Sequence, residues 1–198
     1  MKKNLKELPI YFIDLETTGL SPEFDRIIEF CIIKTTKIGV YKIYNKVDPE
    51  EVSVSQEAKK VNGYCKRKWI NSISQKEAMN KIHEFISEKG VFCGHNINFD
   101  ISFLKNSMNR IGYPLKSRRN IDTYALAFEH LVPMGLNSLS LDSIRSFLSW
   151  KKPKYHNASG DAHDVYRLYH YLNRMGYLRK SYIWLRSYPY RRNQWKKI

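Results

Sequence analysis

The order of its apolar runs limits the fold of this 198-residue chain more than any other feature. Ile10–Leu15, Ile27–Thr36 and Val40–Val47 are rich in Ile, Val, Phe and Tyr and read as strands, the last two joined by a turn at Lys37-Ile38-Gly39. At Ser74 the period changes. Ser74 and Glu77 form a capping box, and Ala78, Ile82, Phe85 and Ile86 recur at helical spacing up to Gly90. Next, "VFCGHN" reads as a short buried strand, Phe99–Arg110 as a helix stopping near Gly112 and Pro114, and Ile121–Thr123 as a further short strand. Helices follow at Ala125–Leu131 and Ser138–Leu148, and an amphipathic one begins near Gly160 with Val165, Leu168, Tyr169 and Leu172 on one face. A meander followed by strands alternating with helices gives an α/β fold, a mixed sheet covered by helices.

Acids interrupt this pattern at chosen places. Asp14 and Glu16 are one residue apart, so in a strand both point to the same side. Two like charges held together at the end of a buried strand need a proton or a cation between them. On their own they also fit a strand end with solvated acids before the turn at Thr18-Gly19. Asp100, in "GHNINFD", stands at the start of a helix, where the dipole favours a carboxylate, and alone it reads as an ordinary helix N-terminal acid. In "HNASGDAHDV", His156 lies in a loop and Asp161 opens the last helix five residues later. A histidine beside an acid can take a proton from an attacking water. Four carboxylates without a suitable cysteine set point to hard, oxygen-liganded cations, Mg²⁺ or Mn²⁺. Two such ions about 3.5–4 Å apart clamp both the attacking and the leaving oxygen of a phosphodiester.

The charge balance agrees with such a substrate. With 34 Lys and Arg against 19 Asp and Glu the chain carries +15, which calls for an anionic partner, nucleic acid being the commonest. Length and a 42% hydrophobic content fit one core. No apolar run reaches the ~18–20 residues of a membrane span, and "MKKNLKELP" lacks a signal-peptide core. Cys31, Cys65 and Cys93 show no C-x-x-C spacing and read as buried free thiols in a reducing compartment, not as a zinc site. The expectation is a soluble cytoplasmic protein with no membrane segment. After Gly176 the chain carries seven basic residues, six aromatics and no acid. That composition sets a domain of residues 1–175 apart from a basic, aromatic extension of 176–198, suited to binding single strands or docking on the domain.

"FIDLETTGLSP", "GHNINFDISFL" and "HNASGDAHDVYRL", in this order, resemble the three motifs of the DEDDh 3′→5′ exonucleases, the family of proofreading subunits and domains of bacterial replicative polymerases. "RIIEFCIIK", "AKKVNGY" and "NIDTYALA" fit the segments between, and the resemblance covers Pro9 to Met175. It implies a ribonuclease-H-like mixed sheet of about five strands flanked by helices. It also implies that Asp14, Glu16, Asp100 and Asp161 hold two Mg²⁺ or Mn²⁺ ions, Asp14 bridging them and Asp100 acting through water. His156 would be the general base, and Thr17, Leu20 and Phe99 would hold the terminal nucleotide. The implied activity is hydrolysis at the 3′ end of DNA, single-stranded or frayed, releasing nucleoside 5′-monophosphates. A 3′→5′ exoribonuclease is the alternative within this chemistry, and a catalytically silent nucleic-acid-binding module is the rival from another class. A DNA polymerase is the protein partner the resemblance allows. Asn62-Gly63 departs from the family's usual His-Gly or Thr-Gly, and the extension has no counterpart in the minimal domain. Asp164 shares a helix face with Asp161 and reads as a supporting acid, His95 as a pocket-shaping residue and Asp122 as a structural one. His83, His130 and His170 read as surface or core residues.

Overall fold

The computed structural model describes residues 8–86, 89–116, 119–153 and 155–174. The expected extension 176–198 and its boundary lie outside these residues. Among the described residues five strands form one sheet: β1 (Ile10–Thr17), β2 (Ile27–Thr35), β3 (Val40–Lys46), β4 (Val91–Gly94) and β5 (Arg119–Asp122). Their order is β3-β2-β1-β4-β5, antiparallel across β3, β2 and β1 and parallel across β1, β4 and β5. The helices are α1 (Gln56–Asn62), α2 (Gln75–Phe85), α3 (Ile97–Arg110), α4 (Thr123–Leu131), α5 (Leu141–Phe147) and α6 (Ala158–Asn173). This is the mixed sheet flanked by helices that the order of runs implies.

Alternation along β1 divides the core. Tyr11, Ile13 and Leu15 face α2 and α3, packing with Phe30, Ile32, Ile82, Phe92 and Phe103. Phe12 faces the other way, with Cys31, Ile33 and Cys93, against Ala158, Ala162 and Val165 of α6. Both sheet faces are covered, which is why Ile27–Ile33 is buried without alternation and is apolar throughout except for Glu29. Each large apolar side chain buried here contributes about 1.5–3 kcal/mol. The same alternation puts Asp14 and Glu16 on the α6 face.

Caps set the helix limits. Ser74 accepts from Glu77 N–H at the head of α2, as the capping box requires, but that helix closes at Phe85. Asn157 caps α6 and Asp122 caps α4, so both start two residues before the points suggested by hydrophobic periodicity. Ser140 caps α5 and moves its start past Ser138. Helix α1, which periodicity does not reveal, runs from the Ser55 cap to Gly63, whose φ of 65° closes it in the left-handed region. One cysteine departs from expectation: Cys31 and Cys93 are buried, but Cys65 is exposed because it sits before the Lys66–Trp69 turn at the surface. Among the described residues no helix is long and apolar enough to cross a membrane.

Two features open the sheet beside the acids. Parallel pairing of β1 with β4 covers only Ile10–Phe12, so among the described residues the rest of β1 has no strand on that side. A register shift between Glu16 and Thr17 then ends the regular pairing with β2, a β-bulge of the kind that re-aims side chains next to sites. Strand β4 turns into α3 through Asn96, whose φ of 64° is left-handed and whose amide donates to Asp122 Oδ1 at 2.9 Å. A β-branched residue is strained there and glycine is not. Asn96→Val is expected to lower unfolding free energy by about 1–3 kcal/mol, and Asn96→Gly by well under 1. Denaturant midpoints of the two variants measure this, and equal losses would rule out backbone strain as the reason.

Candidate active site

Three elements bring acids toward one place, and a loop adds a histidine. Strand β1 supplies Asp14 and Glu16, the first turn of α3 supplies Asp100, the first turn of α6 supplies Asp161, and the loop before α6 supplies His156. Glu16, Asp100 and Asp161 are buried, and Asp14 keeps partial exposure. Ligand atoms of Glu16, His156 and Asp161 lie within 4.8 Å of one another. Burial first, then the charges of Asp161, Asp100, Glu16 and Glu29, push the Asp14 carboxyl well above its usual range. Asp14 thus feels the charge of each of the other four carboxylates. Burial and the charges of Asp161 and Glu29 raise Glu16 to about 8, with His156 pulling the other way. Burial also raises Asp100, opposed by hydrogen bonds from its own amide and from Leu15 N–H. That bond is available because Leu15 lies beyond the β4 pairing.

The histidine is oriented by its neighbours. His156 Nδ1–H donates to Asp161 Oδ2 at 2.7 Å, and the His156 amide donates to Val61 O at 3.0 Å. With Nδ1 protonated, Nε2 of a neutral ring is an acceptor. The bond to Asp161 raises the imidazole, and burial opposes it. The end of α1 carries this loop: Asn62 Nδ2 donates to Thr17 O at 3.3 Å, and a Cβ on Gly63 would lie 2.8 Å from the Tyr155 ring. Asn62 therefore bridges α1 to the end of β1.

Among the nucleotide-holding candidates, Leu20 is 84% exposed and Phe99 is half-buried, its ring 4.8 Å from Phe103. Thr17 is buried, and its hydroxyl donates to Gly19 O at 2.6 Å. The loop carrying Leu20 and the 77% exposed Phe24 is knotted by Asp25, which accepts from Thr18 Oγ1 at 2.6 Å and from Ser21 N–H at 2.9 Å. A Cβ at Gly19 would stand 2.5 Å from Asp25 Oδ2. Arg110 closes the knot from α3, donating to Pro22 O at 2.8 Å and to Glu23 O at 2.5 Å. Two large apolar groups are thereby held out in solvent on the loop that follows β1.

Three further residues enter the site that sequence reasoning did not single out. Glu29, opposite Glu16 on β2, is 2% exposed and accepts from Ala158 N–H at 3.1 Å, anchoring the head of α6. An acid inside "IIEFCII" is its sequence signal. Arg145 is wholly buried and donates to Asp161, Asp164 and Asp142. Its signal is position: it occupies an apolar slot of the Leu141, Ile144, Leu148 stripe. Arg110 is the third. Asp164 shares the face of Asp161 as expected but is engaged by Arg145 Nε at 2.8 Å. His95 shapes the connection as expected. The Leu139 carbonyl can only accept, so Nε2–H donates to it at 2.7 Å, and Nδ1 faces the Thr123 hydroxyl at 3.1 Å. Asp122 caps α4. His83 stacks on Tyr113, and His170 packs edge-on to Tyr166.

The donor set fits hard divalent cations: several carboxylates crowded together, with Arg145 and His156 as the counter-charges bonded within the group. Repulsion among these acids has a measurable consequence without any metal. A carboxyl raised in the folded state stabilises the fold below its unfolded value and loses that contribution as pH rises toward the folded value, which for Glu16 is about 8. His156, also raised, acts in the same direction. His95 and His170 are lowered, so they are neutral in both states above about pH 6.5 and drop out. Between about pH 6.5 and 8 the metal-free protein is expected to lose stability as pH rises. Asp14→Asn should flatten that profile and add on the order of 1–3 kcal/mol at pH 8. Thermal unfolding in chelator decides it, and a stability that rises through this window would contradict the reading.

Comparison with known proteins places the chain. Residues 11–169 match the RNase_T exonuclease family model. A PolC-type DNA polymerase III of Thermotoga maritima is 31% identical over 150 residues, covering 76% of this chain but 11% of that protein. The DNA polymerase III subunit epsilon of Treponema pallidum is 27% identical over 150 residues, covering 75% of this chain and 69% of the relative. Among solved structures, E. coli exonuclease I in complex with a dT13 oligonucleotide superposes with a TM-score of 0.72 at 18% identity, over 85% of this chain and 41% of that one. Exonuclease I from Methylocaldum szegediense gives 0.69 at 20% identity, over 87% and 42%. The chain spans only a small part of the PolC-type relatives and under half of the exonuclease I chains, whose fold it shares. With the family model covering most of its length, the chain belongs to the RNase_T exonuclease family.

Proposed function

We propose that this protein is a metal-dependent 3′→5′ exonuclease of the DEDDh type that removes nucleoside 5′-monophosphates from single-stranded or frayed ends, of DNA in preference to RNA. The observation that carries the reading is the meeting of Asp14, Glu16, Asp100 and Asp161 with a histidine already oriented by one of them. In this reading Asp14, Glu16, Asp100 and Asp161 would hold two divalent ions, Mg²⁺ or Mn²⁺. When bound, the ions supply positive charge to the attacking and leaving oxygens of the phosphodiester. His156 Nε2 takes the proton of the attacking water, while Asp161 holds Nδ1–H and favours the imidazolium that forms. Leu20 and Phe99, with Phe24 beside them, offer apolar surface to the terminal base and sugar, and Thr17 shapes the turn from which Leu20 projects.

In this reading the preceding phosphates would pass Lys46 and Lys68. Glu16 pairs with Glu29 and Glu29 with Lys46 across the sheet, so Lys46 is two strands, about 10 Å, from Glu16. Lys46 lies over the Trp69 ring at 4.2 Å and Lys68 over Tyr155, next to His156, at 5.4 Å. Such alternation of cations and rings suits a single strand. A catalytically silent module has no use for four acids beside a polyanion, which disfavours that reading. A replicative DNA polymerase is the proposed protein partner, by analogy with the polymerase III relatives.

Matched 5′-labelled DNA and RNA oligomers test this directly. With Mg²⁺ or Mn²⁺ the expected result is a ladder shortening from the 3′ end, faster on DNA, stopped by chelator and blocked by a 3′-terminal phosphate. Asp14→Asn should abolish it, and His156→Ala should lower the rate about 10²–10⁴-fold with nucleic-acid binding retained. Cleavage of a closed circular single strand would make the protein an endonuclease, and faster trimming of RNA would make it an exoribonuclease.

A further inference from the structure

We infer that Arg145 is a positioning residue of the site: its guanidinium fixes the Asp161 carboxylate from behind and, through it, aims the His156 imidazole. This deepens the proposed nuclease reading and rests on the roles given there to Asp161 and His156. Arg145 lies on α5, a helix that contributes no other group to the site, and its side chain is 0% exposed. Three of its nitrogens each meet a different carboxylate. Nη2 donates to Asp161 Oδ1 at 2.5 Å, Nε to Asp164 Oδ2 at 2.8 Å and Nη1 to Asp142 Oδ1 at 2.9 Å.

The distribution of these bonds separates positioning from mere packing. Holding α5 to α6 needs only Asp164, whose side chain is 14% exposed, and the bond to Asp142, 44% exposed, stays within α5. The third bond goes instead to the buried site acid, one helical turn from Asp164 on α6. Asp161 is then held at both oxygens, Oδ1 by Arg145 and Oδ2 by His156 Nδ1. A carboxylate engaged on both sides cannot rotate, so its plane sets the ring direction of the histidine bonded to it. Asp164, Arg145, Asp161 and His156 form one chain of charge-assisted hydrogen bonds, ending at Nδ1 of the ring whose other nitrogen, Nε2, receives the proton. Because the guanidinium is wholly buried, it reaches neither substrate nor solvent. Its rigid, planar fork is what allows three simultaneous bonds, and a lysine ammonium in its place has no such fixed geometry.

The test compares Arg145→Gln and Arg145→Lys with the wild-type full chain. In the metal-free protein, imidazole ¹⁵N spectra should show wild-type His156 as a single tautomer with an observable Nδ1–H. That signature should be lost or mixed in both variants. With saturating Mg²⁺ and oligomer, kcat should fall about 10–100-fold while KM stays within about twofold. Lysine keeps the charge, so a lysine variant restored to wild-type kcat and tautomer would overturn the inference, leaving charge alone as the role. A folded glutamine variant with unchanged His156 signature would overturn it too. Should neither variant fold, Asp164→Ala keeps Arg145 but frees its Nε. It should weaken the Nδ1–H signature and lower kcat in the same direction, and no change in either would refute the chain of bonds. Loss of the signature in a protein whose wild type hydrolyses nothing would refute the nuclease reading and leave the hold on His156 standing.

Discussion

Mutual repulsion among buried carboxylates is the constraint on which the rest of the structure depends. Asp14 sits on the central strand, with Glu16 beside it, Glu29 across the strand pair, and Asp100 and Asp161 arriving from two helices. Burial raises the affinity of Asp14, Glu16 and Asp100 for protons, so in the absence of other cations the fold works against itself near neutral pH. A chain could avoid this with one apolar substitution on β1. Keeping the acids together is intelligible if positive charge is brought to them beyond that of Arg145 and His156, which already bond Asp161.

The supports of this cluster share one design. Each helix head that presents an acid is tied to the sheet through a backbone amide: Ala158 N–H to Glu29 for α6, Asn96 N–H to Asp122 for α3. The exposed loop with Leu20 and Phe24 is tied by Asp25 inside and Arg110 outside. Charged side chains thus hold backbone, and regular elements hold the reactive groups, which keeps their geometry tighter than mobile loops allow. His156 is the exception, on a loop, and it is fixed instead by α1 through Val61 O and by Asp161.

Legibility from the sequence followed the range of the interactions. Strands β1 and β2 announce themselves because their runs are β-rich and buried on both faces, and the pairing of Asp14 with Glu16 follows from the two-residue period alone. His156 and Asp161 are five apart and meet within one loop-to-helix junction. Glu29 bonds 129 residues away and Arg145 bonds Asp161 16 away, so nothing local marks their partners. Both do break an apolar pattern, and a charged residue in a slot the period reserves for hydrophobes is the clue that was available. Helix α1 is legible only by family likeness because it is seven residues long and buries Asn62 alone, too little for a hydrophobic period. Cys65 shows the opposite failure. A thiol reads as buried by habit, yet its neighbours Lys66, Arg67 and Lys68 mark a surface turn.

The measurement closest to the central claim is an anomalous difference map from crystals grown with Mn²⁺ and a 3′-terminal oligonucleotide that cannot be cleaved. The account requires two peaks about 3.5–4 Å apart, both within coordination distance of Asp14 and shared out among Glu16, Asp100 and Asp161. No peak at Asp14, with Mn²⁺ found only at surface carboxylates, would contradict it.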